Sequence, residues 1–117
     1  MHNNILIVDD SKVSRMIIKK VLSEIAPDAT LIEAADGSEA LEKLAADHIE
    51  AIIVDFHMPG MNGLELAEKL KELKPALAIT MLTANIQKEI KERADALGVG
   101  YLTKPPKKDE LQEFLEG

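Results

Sequence analysis

The chain has no cysteine and no tryptophan. Without cysteine, neither disulfides nor thiolate metal sites are available, which fits a reducing compartment. Only three aromatics are present, Phe56, Tyr101 and Phe114, too few for a platform on which bases or sugars would stack. Bases are in the minority as well: 14 Lys plus Arg face 21 Asp plus Glu, for a net charge of −7. They form no cluster suited to a phosphate backbone, so nucleic acid is not expected as a direct partner. No apolar run approaches the roughly 18 residues that a membrane span needs, and no basic segment leads into a signal-like apolar core. No membrane association is expected, and the expected location is the cytoplasm.

What the chain does have is a regular alternation. Its 117 residues suit one domain spanning 1–117, long enough to bury roughly two thirds of its unfolded surface. No linker, repeat or low-complexity segment interrupts it. Five short apolar runs read as strands: "NILIV" (4–8), "TLIEA" (30–34), "AIIVD" (51–55), "LAITML" (77–82) and "VGYLT" (99–103). Three of them are almost continuously apolar, as strands covered on both faces must be.

Helical periodicity fills the gaps. In "SKVSRMIIKKVLSEI" the residues Val13, Met16, Ile17, Val21 and Ile25 recur at spacings of three and four, with Ser11 placed as N-cap. "SEALEKLAA" presents Ala40, Leu41, Leu44 and Ala45; "GLELAEKLKEL" presents Leu64, Ala67, Leu70 and Leu73. "NIQKEIKERADALG" places Ile86, Ile90, Ala94 and Leu97 on one face, with Asn85 as cap and Gly98 as stop. "KKDELQEFLEG" contributes Leu111, Phe114 and Leu115. Five strands alternating with five helices imply right-handed crossovers and an α/β fold, a doubly wound parallel sheet of (βα)5 type.

In such open sheets ligands sit beyond the carboxyl ends of the strands. The polar residues at those ends are Asp9 and Asp10, Asp55, Thr83 and Lys104. Carboxylates brought within a few ångströms repel by about 4 kcal/mol per close pair at an effective dielectric near 20, so a cation must compensate. An all-oxygen site of two or three carboxylates suits Mg²⁺ or Mn²⁺ and suits zinc poorly. With a lysine and a hydroxyl beside it, the set has the parts that steady a transferring phosphoryl group, and a carboxylate there can itself be the nucleophile.

These residues resemble a known family, the CheY-like receiver domains of two-component response regulators, over the whole chain. The matching stretches are "ILIVDDSKVSR", "VDFHMPGMNG", "TMLTA" and "YLTKP"; each alone is weak, and four in order are specific. The resemblance implies a flavodoxin-like sheet in the order 2-1-3-4-5. Asp55 would be the phosphoacceptor, Asp9 and Asp10 the metal pair, with Asp10 the more direct ligand, and the backbone carbonyl of His57 a further ligand. Thr83 and Lys104 would hold phosphoryl oxygens, with a cis Lys104-Pro105 bond and Tyr101 as the aromatic of the switch. His57 and Asn85 would border the path of the water that removes the phosphate. The implied partners are a histidine kinase or phosphotransfer protein and a downstream protein target contacting helix four, strand five and helix five. A phosphorylation-dependent dimer is within the same repertoire. The implied role is signalling, with Mg²⁺-dependent self-phosphorylation and self-dephosphorylation, not that of a dedicated enzyme.

Blander readings stand beside each residue. Asp9 and Asp10 could merely cap the first helix, Lys104 could be a solvated lysine, Thr83 an ordinary strand residue and Tyr101 simple packing. Met16, Met58, Met61 and Met81 are read as gap-fillers, "KEIKERAD" as a solvated helix face, and His2 and His48 carry no partner signal. Pro106 departs from the apolar or aromatic residue common in the family and puts the packing of helix five in question. Two rivals remain: a Mg²⁺-dependent phosphohydrolase of haloacid-dehalogenase type, which would need a D-x-D motif after strand one, and a flavin-binding protein, which would need a phosphate loop where two carboxylates stand.

Overall fold

A computed structural model describes residues 4–116; His2 lies outside them. The strands β1 (Asn4–Val8), β2 (Thr30–Ala34), β3 (Ala51–Asp55), β4 (Ala78–Thr83) and β5 (Gly100–Thr103) alternate with helices α1 (Lys12–Ile25), α2 (Gly37–Ala46), α3 (Gly63–Leu73), α4 (Lys88–Leu97) and α5 (Lys108–Glu116). All pairings are parallel, in the order β2-β1-β3-β4-β5. This is the expected flavodoxin-like (βα)5 fold. No helix among the described residues is long and apolar enough to cross a membrane.

Each strand alternates its side chains between two cores. Leu6, Val8, Ile52 and Val54 pack with Leu44 of α2, Leu64 and Leu70 of α3 and Ala94 of α4. Ile5, Ile7, Ala51 and Ile53 pack with Ile18 and Leu22 of α1 and Leu111 and Leu115 of α5. Every residue of β3 is buried, as a central strand covered on both faces requires, whereas the edge strands β2 and β5 are largely half-exposed. Asp55 therefore closes a fully buried strand, on the α1 and α5 side by its parity with Ala51 and Ile53.

Helix ends carry the capping chemistry of their sequences. Ser11 caps α1 and Asp36 caps α2, each accepting a backbone N–H with its side chain. Asn62 and Glu65 form a reciprocal capping box at α3, a signal present in "NGLE" that the sequence expectation did not use. Gly98 ends α4 at a positive φ of 73°. Despite Pro106, α5 seats Leu111 and Leu115 in the core with Phe114 against it.

Four expectations are corrected. The inward stripe of α1 is Ile18 and Leu22 flanked by Val21 and Ile25, while Val13, Met16 and Ile17 are 67, 59 and 49% exposed. At about 100° per residue the true stripe runs from Ser14 through Ile18 to Leu22, so its first member is polar and does not register in an apolar count. Met16 is consequently no gap-filler, although Met58 and Met81 are buried. Asn85 does not cap α4; that helix starts after Gln87, which makes no side-chain cap bond, and Ile86 precedes it. Leu73 and Ala45 face solvent at the ends of their helices, and Leu66 of α3 is buried in their stead.

Gly63 opens α3 against the end of β3. A Cβ built there would lie 2.7 Å from the Asp55 carbonyl oxygen and 2.8 Å from Phe56 Cα, both backbone atoms that cannot swing aside. Gly63→Ala is expected to destabilise the fold by about 1–3 kcal/mol, the usual cost of overpacking. A denaturant midpoint that falls at unchanged slope would register this; an unaltered midpoint would contradict it.

Candidate functional site

The carboxyl edge of the sheet gathers the charged residues. The ladder continues past the strand ends, with Asp9 N–H donating to Ala34 O (3.1 Å), Phe56 N–H to Leu82 O (2.9 Å) and Lys104 N–H to Thr83 O (2.9 Å). Those bonds fix the backbone from which Asp9, Asp55 and Lys104 project. One oxygen each from Asp9, Asp10 and Asp55 lie within 4.8 Å of one another.

The three acids differ in environment. Asp9 is fully buried; its Oδ1 accepts the Ser11 N–H (2.9 Å) and its Oδ2 the Ser14 hydroxyl. Arg15 donates through Nη1 to the Asp9 carbonyl and through Nε to Glu33 (2.9 Å), whose other oxygen meets Lys19 at 3.1 Å. The hydrogen bonds from Arg15 and Lys19 hold the Glu33 carboxyl below its ordinary pKa. Asp55 is 4% exposed and accepts from Lys104 Nζ at 2.9 Å and from the His57 N–H at 3.3 Å. Asp10 is exposed and makes no hydrogen bond or ion pair among the described residues.

Lys104 reaches both buried acids, at 2.9 Å from Asp55 and 3.5 Å from Asp9. Burial works to lower its pKa, but the hydrogen bond and charge of Asp55, together with Asp9, overcome burial and leave it raised. Burial also raises the Asp55 pKa; the Lys104 bond pulls it back, the Asp9 charge pushes it up again, and burial prevails. One ammonium thus faces two buried carboxylates with a third nearby. That oxygen-only donor set, short of positive charge, fits a hard divalent cation such as Mg²⁺ or Mn²⁺.

Thr83 ends β4, almost fully buried. Its hydroxyl donates to the Asn85 carbonyl (3.2 Å) and accepts the Asn85 N–H (3.3 Å). This tight turn engages the backbone of Asn85 before α4 begins, which is why Asn85 does not cap it. A hollow of about 100 Å³ lies beside Thr83, lined by Phe56, His57, Met81, Asn85 and Ile90 among others. Tyr101, paired with Met81 across the β4–β5 register, is half-buried with Lys91 Nζ 5.7 Å from its ring centre. The His57 side chain is exposed, edge-on to Phe56 at 4.9 Å between ring centres, and its backbone N–H contact to Asp55 was not expected from sequence. The Lys104-Pro105 peptide is cis.

The response regulator receiver domain family matches residues 5–116. The chain belongs to that family. In these receivers of two-component systems an aspartate takes the phosphoryl group. This receiver is 38% identical to the chemotaxis protein CheY-3 of Vibrio cholerae, over 96% of this chain and 88% of that one. It is also 38% identical to the sensor protein EvgS of Escherichia coli, over 96% of this chain and only 9% of that protein. The chain thus spans under a tenth of the length of that sensor protein. Among solved structures, CheY4 of Vibrio cholerae superposes with a TM-score of 0.86 at 31% identity, covering 99% of this chain and 98% of that one.

Ser14, Arg15 and Glu33 are site residues that sequence reasoning missed. The signal was present in part: a serine on the inward stripe of α1, one turn after the acidic pair, has no apolar reason to be there.

The raised Asp55 pKa has a definite sign for stability. The folded state disfavours the ionised form, so stability falls as pH rises from the unfolded carboxylate value of about 4 through the higher folded one. Without metal, Asp55→Asn is expected to raise the melting temperature at pH 7, at about 4 °C per kcal/mol for a domain of this size. The difference shrinks below pH 4, where both side chains are neutral. Calorimetry in chelator at the two pH values checks this; a lower melting temperature for the variant at pH 7 would contradict it.

Proposed function

We propose that residues 1–117 act as one cytoplasmic receiver unit in which Asp55 accepts a phosphoryl group from a phosphohistidine on a histidine kinase or phosphotransfer protein. The observation carrying this reading is the buried Asp55 carboxylate bonded to Lys104 at 2.9 Å, grouped with Asp9 and an exposed Asp10 that has no partner among the described residues. An Asp55 oxygen attacks phosphorus; the O–P bond forms as the donor's N–P bond breaks, and the imidazole nitrogen keeps the electron pair and takes a proton. Asp9, Asp10, Asp55 and the His57 carbonyl would hold Mg²⁺ or Mn²⁺, which would supply charge neutralisation for the phosphoryl oxygens. Lys104 passes from Asp55 to a phosphoryl oxygen.

The new group brings a charge of about −1.5 to −2 and three acceptor oxygens. Thr83, whose hydroxyl is spent on its own loop, gives up the Asn85 carbonyl to donate to the phosphate. Tyr101 then leaves Lys91 and moves toward the hollow beside Thr83, so the face built by α4, β5 and α5 changes for a downstream protein or a second receiver. The exposed side chains of His57 and Asn85 border the approach of water and tune how long the phosphate lasts.

The donor docks on α1. Val13 and Ile17 line a hollow of about 350 Å³ with Ser14, Lys104, Pro105 and Pro106. Both apolar side chains are exposed, as is Met16 next to them on the helix, and exposed apolar patches mark contact surfaces. A helix carrying the phosphohistidine fits this apolar face and would bring its imidazole to Asp55.

With Mg²⁺ and acetyl phosphate the protein is expected to gain one phosphoryl mass, absent in Asp55→Asn; rapid turnover of diverse phosphate esters would instead point to a hydrolase. Ile17→Glu should slow transfer from a phosphohistidine protein at least tenfold while leaving acetyl phosphate labelling within twofold. Equal slowing with both donors would move the docking site elsewhere.

A further inference from the structure

We propose that Ser14 is a positioning residue for Asp9 and sets how tightly this receiver holds its divalent cation, an inference that rests on the metal site described under the proposed function. Ser14 occupies the inward stripe of α1 one turn before Ile18, where the sheet-facing helix would otherwise present hydrocarbon. Its hydroxyl has one proton to give, and in a helix the usual acceptor is a backbone carbonyl one turn back. Here the proton goes instead to Asp9 Oδ2.

That bond matters because Asp9 is completely buried and its carboxylate has few donors. Oδ1 is held by the Ser11 N–H at 2.9 Å, and Oδ2 by Ser14 and, at the longer distance of 3.5 Å, by Lys104. Lys104 is shared, sitting closer to Asp55 at 2.9 Å, and is drawn off when a phosphoryl group arrives. Ser14 is then the remaining donor on Oδ2. With Ser11 on one oxygen and Ser14 on the other, the first turn of α1 fixes the rotation of the carboxylate. A carboxylate offers about four lone-pair sites, so Ser11 on Oδ1, and Ser14 with the more distant Lys104 on Oδ2, still leave capacity for a cation.

Behind this pair, Arg15 grips the Asp9 carbonyl and is itself held by Glu33, so the backbone carrying the carboxylate is pinned as well. Asp10 has no such support. The site therefore pairs one acid whose direction is set in advance with one free to close on the ion. Groups that orient a metal ligand typically contribute 10- to 100-fold to affinity.

The test is a Mg²⁺ titration of the unphosphorylated protein followed by amide chemical shifts, with Ser14→Thr and Ser14→Val compared. The two variants match in shape and differ in the hydroxyl. Ser14→Thr should bind Mg²⁺ within about twofold of the unaltered chain, and Ser14→Val about tenfold more weakly or worse. The Mg²⁺ concentration for half-maximal acetyl phosphate labelling should rise by the same factor, with the rate at saturating Mg²⁺ unchanged. A packing defect would lower the melting temperature or the maximal rate without that split. Equal Mg²⁺ affinity in the Thr and Val variants overturns the role of Ser14 while leaving the receiver reading intact. Absence of Mg²⁺ binding by the unaltered chain overturns the metal site itself.

Discussion

The Lys104 ammonium between two buried carboxylates holds the site together. Buried charges survive only when paired, and Asp9 and Asp55 draw on the same lysine at 3.5 and 2.9 Å. The strand order makes this reach feasible. Asp side chains are short, so their strands must be neighbours, and β1 and β3 are. Lysine is long, so its strand can stand two places from β3, across β4, a separation of about 10 Å. A different order would separate the acids or strand the lysine.

Charge remains unbalanced even so. Two buried acids share one ammonium while a solvent-facing third stands nearby, and burial keeps the Asp55 pKa raised. That deficit is what gives a divalent cation its place, and an incoming phosphoryl group makes the demand larger. The surrounding structure is built to tolerate the strain of like charges: β1 and β3 are buried along their apolar length, Gly63 lets α3 close against the end of β3, and the first turn of α1 supplies two donors to Asp9.

The helix α1 serves two surfaces at once. Its inner stripe joins the core through Ile18 and Leu22 and meets the site through Ser14. Its outer side leaves Val13, Met16 and Ile17 in solvent. An apolar residue count cannot separate these, because seven residues of the helix are aliphatic or Met and only their phase relative to the sheet tells which are inside. The same limit explains Leu73, which has the right spacing but is exposed as the last residue of α3, and Asn85, a good cap by type whose backbone is committed to Thr83. Local preference names what a residue can do, and tertiary contacts choose among those options.

What was legible from the sequence alone was whatever depends on order along the chain. Strand and helix alternation, the parallel sheet, and the polar residues waiting at each strand end follow from hydrophobic period and from which residue comes next. Asp9, Asp10, Asp55, Thr83 and Lys104 were visible in this way, because a strand's last residue needs no tertiary information to be found. Tertiary structure alone decided which acids share a cation, which one stands free, which side of α1 meets the sheet, and that a serine would lend its only proton to Asp9. Those outcomes turn on distances between segments far apart in sequence, and hydrogen bonds and charges act across space with no trace in linear order.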